Sequence, residues 1–120
     1  MHETRIIATN KHCYAIRDGF PVTPDHTLII PKRHVETFFD LTEEEVLACN
    51  DILRSERLKI LALDKSVGGF NIGMNAGSIA GQTIFHCHIH LIPRRPGDVE
   101  NPKGGVRHVI PNKGYYSSND

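Results

Sequence analysis

Short runs of hydrophobic residues along the chain predict several β-strands. Residues 12–17 (HCYAIR) mix apolar and polar positions, and residues 27–31 (TLIIP) form an apolar, β-branched run that ends at a proline. Residues 70–75 are a third candidate strand. Residues 84–92 alternate between apolar and polar residues and predict the last strand. The turn-forming residues 18–25 separate the first two runs, so we expect a loop there.

A longer segment that begins at Thr42 predicts one long helix. Thr42 can cap the first free N–H groups, and Glu45 follows at the spacing of a capping box. Apolar side chains then recur on one broad face, which favours packing against a sheet. These residues are Val46, Cys49, Leu53, Ile60 and Leu61. We expect Gly68 and Gly69 to end the helix.

The rest of the chain completes the predicted architecture. Prolines and glycines are frequent after residue 93, which predicts an extended, irregular tail over residues 96–120. Several strands, one main helix and short connections predict an α+β domain with a mostly antiparallel sheet. A length of 120 residues fits a single domain that spans residues 1–120.

Composition narrows the possible partners. Lys plus Arg equals Asp plus Glu, so net charge gives no reason to expect binding to nucleic acid or to a membrane surface. No apolar run approaches the ~20 residues of a membrane helix, and the N-terminus lacks the pattern of a signal peptide. We therefore expect a cytoplasmic protein. The three scattered cysteines fit a reducing compartment, and each is expected to be buried.

The alternating histidines in HCHIHLIPRR (residues 86–95) suggest chemistry. On a strand, His86, His88 and His90 would share one face, while Phe85, Cys87, Ile89 and Leu91 would face the core. Three interpretations compete: a solvated face, a metal site or a phosphate-handling site. A rise of ~3.3 Å per residue separates His86 from His90 by ~13 Å, too far for one zinc ion to bind all three.

The preceding loop favours phosphate over metal. Residues 73–83 (GMNAGSIAGQT) combine glycines with amide and hydroxyl side chains. Glycine allows backbone N–H groups to approach an anion closely, and neutral side chains add donors. These donors are Asn75, Ser78, Gln82 and Thr83.

Two motifs resemble those of a known family. Residues 73–94 (GMNAGSIAGQTIFHCHIHLIPR) closely resemble the signature of the histidine-triad (HIT) family of nucleotide hydrolases and transferases. Residues 20–34 (FPVTPDHTLIIPKRH) resemble a second segment of that family, and the likeness covers about residues 12–95. The resemblance implies a HIT-like fold with a five-stranded, mostly antiparallel sheet, one long helix and an extended C-terminal tail.

The resemblance also implies roles for matching residues. His88 would attack the α-phosphorus of a nucleotide and form a nucleotidyl-histidine intermediate, with its other ring nitrogen held by a backbone carbonyl. His90 would contact the α-phosphate or the bridging oxygen, and His86 and His26 would support the site. Further matching positions imply phosphate contacts from Asn75, Gln82 and Thr83, and a ribose contact from Asp18. His34 is interpreted as structural.

Departures from the family pattern limit what is carried over. Asp25 stands where the family usually has glycine, and the N-terminal cysteine pair that often binds zinc is missing. We therefore expect no metal held by the protein and no required cofactor, although a divalent cation can accompany a polyphosphate substrate. In the tail, we hypothesise that Arg94, Arg95 and Arg107 meet distal phosphates or the leaving group, with solvated surface charge as the alternative.

The resemblance predicts a homodimer that hydrolyses dinucleoside polyphosphates, with an adenine nucleotide as the preferred ligand. The Gln82–Thr83 and Pro93–Arg94 pairs look more like that branch of the family. An adenosine phosphoramidase or a nucleotidyl transferase is the alternative within enzymes. A nucleotide-binding regulator with little turnover and a zinc-binding protein are alternatives from other classes.

Overall fold

The computed structural model of the protein describes residues 5–116, which form one antiparallel sheet with a long helix on one face. The strands lie in the order β1-β2-β3-β5-β4, and every neighbouring pair is antiparallel. This confirms the predicted α+β class. The elements are β1 (Ile6–Thr9), β2 (Cys13–Arg17), β3 (Thr27–Pro31), α1 (Glu43–Leu63), β4 (Gly69–Gly73) and β5 (Ile89–Arg94).

Strand boundaries follow the hydrophobic pattern where a strand is buried. The structure places β3 at the predicted residues, and β2 begins one residue later than predicted. The predicted strand at 70–75 is β4, shifted toward its glycine at 69. Sequence reasoning missed β1, a short edge strand whose residues are mostly exposed, because such a strand needs no alternation of hydrophobic and polar residues.

The helix begins as its capping box predicts. The Thr42 hydroxyl accepts from the Glu45 N–H at 3.1 Å, and the Glu45 carboxylate accepts from the Thr42 N–H at 2.8 Å. The other end differs from the prediction, because α1 stops at Leu63 with Asp64 as its C-cap, before the two glycines. Gly69 is instead the first residue of β4.

The buried face of α1 is rotated slightly from the predicted one. Cys49 and Ile60 are buried as predicted, whereas Val46, Leu53 and Leu61 lie at its margin. Ala48, Ile52 and Glu56 complete the face that packs on the sheet. Glu56 is only 1% exposed although it is charged. Its carboxylate accepts from Arg17 at 3.1 Å and from Lys59 at 2.9 Å, so burial leaves it paired.

Removing the cap of α1 should weaken the fold. Thr42→Ala is expected to lower the free energy of unfolding by about 1 kcal/mol, because the N–H of Glu45 loses its acceptor. Urea denaturation followed by circular dichroism measures this change. Glu43→Ala, an exposed residue in the same turn, is the control. Equal stability of the Thr42→Ala protein and wild type would contradict the assigned cap.

The predicted last strand is wrong over its first half. Residues 84–88 are irregular, and β5 starts at Ile89 and continues to Arg94. Alternating burial nevertheless holds from Cys87 to Leu91, as predicted, whereas Phe85 is 45% exposed rather than part of the core. The pairing of β3 with β5 stops at Ile29 and Ile89, so residues 84–88 form no ladder with the end of β3.

The tail is irregular except for a 3-10 turn at Gly105–Val109, which packs on β4 and was not predicted. Residues 117–120 of the predicted tail lie outside the described residues.

All three cysteines are free and buried, which confirms the prediction that each is buried. Across residues 5–116, no helix combines the length and hydrophobicity needed to cross a membrane.

Candidate active site

A pocket of about 630 Å³ opens on the sheet face opposite α1. Alternate residues of β2 and β3 point to this face, while their neighbours Cys13, Ala15 and Ile29 point into the core beneath the helix. Its apolar wall consists of Ile6, Tyr14, Ile16, Leu28, Ile30 and Ile84. His86 and His88 stand at this pocket, together with Asp18. The shape and lining suit a flat, mostly apolar group beside the histidines.

The His88 ring is oriented by a hydrogen bond to the backbone. Its Nδ1 lies 2.8 Å from the carbonyl oxygen of His86. Because a carbonyl only accepts hydrogen bonds, Nδ1 carries a proton, and in the neutral ring Nε2 keeps its lone pair. This geometry fixes the tautomer that a nucleophilic imidazole requires.

His86 braces the chain beside the pocket. Its Nε2–H donates to the carbonyl oxygen of Pro31 at 2.8 Å, and its ring packs against His34 with centroids 4.8 Å apart. These imidazole contacts lie beyond Ile29 and Ile89, the last residues paired between β3 and β5. The ring contact supports the structural interpretation of His34.

His26 and His90 form a chain of directed hydrogen bonds. The backbone N–H of Val22 donates to His26 Nδ1 at 3.2 Å, so the proton of a neutral His26 lies on Nε2. That Nε2–H faces His90 Nδ1 at 2.9 Å, which places the His90 proton on its own Nε2. The His88 and His90 rings lie 5.2 Å apart. The site therefore offers an acceptor nitrogen on His88 and a donor N–H on His90.

Burial favours the neutral form of the two linked imidazoles. It lowers the pKa of His26, against an opposing effect of the Asp18 carboxylate, whose Oδ2 lies 3.5 Å from His26 Nε2. Burial also lowers the pKa of His90, with further lowering from His88 and His26. Asp18 is itself oriented by the N–H of Phe20, which donates to its Oδ1 at 2.9 Å.

These shifts predict how stability depends on pH. Both folded pKa values lie below the ordinary 6.5, so the unfolded chain takes up protons first as pH falls. The stabilisation is complete above about pH 6.5 and is lost as pH falls toward the folded values. We expect the free energy of unfolding to drop between pH 7 and 5 in urea titrations. His26→Gln should flatten this slope, and an unchanged slope would contradict the burial effect.

The distances at Asp18, His26 and His90 also raise the possibility of a metal. One ligand atom from each lies within 4.8 Å of the others. Binding through His26 Nε2 would, however, require its proton to move to Nδ1, which faces the Val22 N–H. Two donors would then oppose each other. The arrangement therefore suits a hydrogen-bond chain better than a metal ion.

The loop residues that were predicted to contact phosphate differ in their surroundings. Gln82 is buried, and its amide is bonded to the backbone. Oε1 accepts from Gly77 N–H at 2.8 Å, and Nε2 donates to Glu36 O at 2.7 Å and to Ile84 O at 3.2 Å. Asn75 and Thr83 are exposed. Gln82 thus braces the loop, and phosphate contacts from these three residues stay a prediction.

The arginines proposed to meet distal phosphates are engaged elsewhere. Arg94 bonds Asp98 and Asn71, Arg95 bonds Asp64 and Thr23, and Arg107 bonds Gly114 O. Among the described residues, none of these three arginines lines the pocket.

Two cations that sequence reasoning missed, Arg5 and Lys32, line the pocket instead. Lys32 directly follows β3 inside the matched motif and could have been singled out there. Arg5 carries no such signal.

Comparison with known proteins shows the family of this chain. Residues 2–97 match the family described as HIT domain. The chain belongs to the HIT domain family. Among HIT proteins, the bis(5'-adenosyl)-triphosphatase of Dictyostelium discoideum is 36% identical over 103 residues, which cover 84% of this chain and 67% of that one.

Other HIT relatives resemble this chain to a similar degree. An uncharacterized HIT-like protein of Mycoplasma genitalium is 39% identical over 88 residues, 73% of this chain and 62% of the relative. The crystal structure of a hypothetical histidine triad nucleotide-binding protein from Sulfolobus tokodaii has a TM-score of 0.72 at 33% identity and covers 78% of this chain. The chain spans 62% of the length of each of these two relatives.

Proposed function

We propose that this protein is a nucleotide hydrolase that cleaves dinucleoside polyphosphates at the α-phosphate through a nucleotidyl intermediate on His88. The observation that carries the proposal is the hydrogen bond from His88 Nδ1 to the His86 carbonyl oxygen, which leaves Nε2 free to attack. The likeness to a bis(5'-adenosyl)-triphosphatase supports this substrate class.

The first chemical step uses Nε2 of His88, which lines the pocket, and Nε2 of His90, whose ring lies 5.2 Å from the His88 ring. His88 Nε2 bonds to the α-phosphorus as the bond from that phosphorus to the bridging oxygen breaks. The leaving nucleotide departs as a phosphate anion, and His90 Nε2–H donates a hydrogen bond to the charge that develops on oxygen. The modified His88 ring is cationic, and its Nδ1–H remains on the His86 carbonyl.

The second step releases the product. Water attacks the phosphorus, the bond from nitrogen to phosphorus breaks, and the surplus proton of the water passes to solvent. Because the departing imidazole is already protonated at Nδ1, it leaves as a neutral ring and needs no further acid.

The pocket supplies binding and orientation. Its apolar wall is suited to an adenine base, and Asp18 beside it is placed to accept from ribose hydroxyls. Lys32 and Arg5 add positive charge for the polyphosphate. A divalent cation belongs to the substrate in this proposal, and the chemistry draws on no other cofactor.

A homodimer and a cytoplasmic location are part of the same proposal. Strand β4 lies at the edge of the sheet, with Ile72 49% exposed, and α1 carries the exposed apolar residues Leu58 and Leu63. A strand at the sheet edge and exposed apolar side chains favour contact with a second copy. Three free, buried cysteines support a reducing compartment.

A substrate panel in ¹⁸O-labelled water tests the proposed function. Dinucleoside polyphosphates of different lengths, an adenosine phosphoramidate and an aminoacyl adenylate are compared by kcat/KM. We expect the first class to be favoured, with ¹⁸O in the AMP product. Preference for the phosphoramidate would indicate a phosphoramidase, and AMP transfer to added phosphate would indicate a transferase. Tight AMP binding without turnover would indicate a regulator and contradict the proposal.

A further inference from the structure

The loop between β2 and β3 keeps a backbone N–H bonded to His26, although its large apolar side chains are exposed. It provides the Val22 N–H that bonds His26, and it begins at Asp18. Its large side chains do not anchor it, because Phe20 is 93% exposed and Val22 is 72% exposed. Polar contacts must therefore keep this N–H within hydrogen-bond distance of the ring.

Arg95 supplies those contacts from outside the loop. Its Nη1 donates to Thr23 Oγ1 at 2.9 Å and to the Pro24 carbonyl oxygen at 3.0 Å. Its Nε donates to Asp64 Oδ2 at 3.0 Å, at the C-cap of α1. The side chain is only 15% exposed. One planar group thus ties the loop to the end of the helix and to the end of β5.

Asp25 adds a third link at the turn into β3. It has φ 69°, a left-handed conformation that is unusual for a residue other than glycine. Its carboxylate lies 3.4 Å from Arg95 Nη2 and 3.9 Å from Arg17 Nε. These contacts stabilise a turn that presents His26 directly afterwards.

We propose that Arg95 is a positioning residue that fixes the tautomers of His26 and His90 by holding the Val22 N–H against His26. Without this clamp, the loop moves and the Val22 donor leaves Nδ1. The proton of His26 can then occupy either nitrogen, and His90 loses its directed donor. A lone pair on His90 Nε2 would face phosphate oxygens in part of the population. The consequence for turnover rests on the proposed function, whereas the consequence for tautomers does not.

Long-range ¹H–¹⁵N correlation spectra of the imidazoles at pH 7.5 test the clamp without substrate. In wild type, His26 and His90 should both show the Nε2–H tautomer, with assignments from spectra of His26→Asn and His90→Asn. Arg95→Ala should give averaged tautomers at both rings. Arg95→Lys keeps the charge but loses the fork and should fall between the two. Arg57→Ala, an exposed helix residue, is the matched control and should match wild type.

Kinetics on the same variants provide the second measurement. Arg95→Ala is expected to lower kcat about 10–100-fold, the usual effect of a misplacement near 1 Å. KM should change little, because Arg95 does not line the pocket. Thr23→Val removes one acceptor and tests the same contact if Arg95→Ala fails to fold. Unchanged tautomers in a folded Arg95→Ala or Thr23→Val protein would overturn the proposal. If the tautomers change in Arg95→Ala but the wild-type protein hydrolyses no nucleotide, the positioning role of Arg95 stands and only the hydrolase function is refuted.

Discussion

Replacing His88 by asparagine should abolish nearly all turnover while nucleotide binding persists. The amide has no nitrogen lone pair that can bond to phosphorus, so the covalent path is lost and kcat falls at least ~1,000-fold. The apolar wall and Asp18 are untouched, so the affinity for AMP should remain close to that of wild type. Steady-state kinetics and calorimetric titration with AMP measure the two effects separately.

Trapping experiments provide the decisive control for His88. Acid quenching with a substrate labelled in its AMP moiety should mark His88 in wild type and leave the His88→Asn protein unlabelled. His12→Asn removes a surface imidazole that pairs with Glu44 and should keep both turnover and label. Normal turnover by the His88→Asn protein, or label on another residue of wild type, would contradict the assigned nucleophile.

Truncating Leu91 should give the largest loss of stability. Leu91 is fully buried in β5, in the cluster formed by α1 and the sheet. Leu91→Ala removes three carbons and leaves a cavity, which typically costs about 2–5 kcal/mol. Urea denaturation measures the change in the free energy of unfolding. The slope of this free energy against urea concentration should stay unchanged.

The position of Leu91 makes this loss informative about the site. It follows His90 directly and points to the opposite face of the sheet. Ile72→Ala in the neighbouring strand truncates a side chain that is 49% exposed and should cost much less. Equal losses for the two variants would mean that the core does not lie where the structure places it.

Local patterns predicted much of this fold, because they report interactions between residues that are near in sequence. The capping box fixed the start of α1, and the apolar run TLIIP fixed β3. The end of α1 could not be predicted in the same way. Asp64 ends the helix while its side chain accepts from Ser66 and from Arg95, and the second partner is distant in sequence.

The histidines of the candidate site were predicted, but their connections and the pocket cations Arg5 and Lys32 were not. The alternating histidines identified His86, His88 and His90, and the alternation of burial survives although the strand there is broken. Beyond Ile89 the backbone bonds change partner: the Cys87 N–H donates to the Val35 carbonyl oxygen, and the His86 and His88 rings bond the carbonyl oxygens of Pro31 and His86. The link between Arg95 and Thr23 joins residues 72 positions apart, so no local pattern could reveal it.

The donor that orients His26 belongs to the main chain, and this has a consequence for protein engineering and for sequence comparison. Every amino acid except proline supplies the same N–H at position 22. An alanine scan across the loop would therefore leave this functional atom in place, and alignments could show free variation at a position whose amide is indispensable. Substitution by proline, or backbone replacement of that amide by an ester, is the change that would expose its importance.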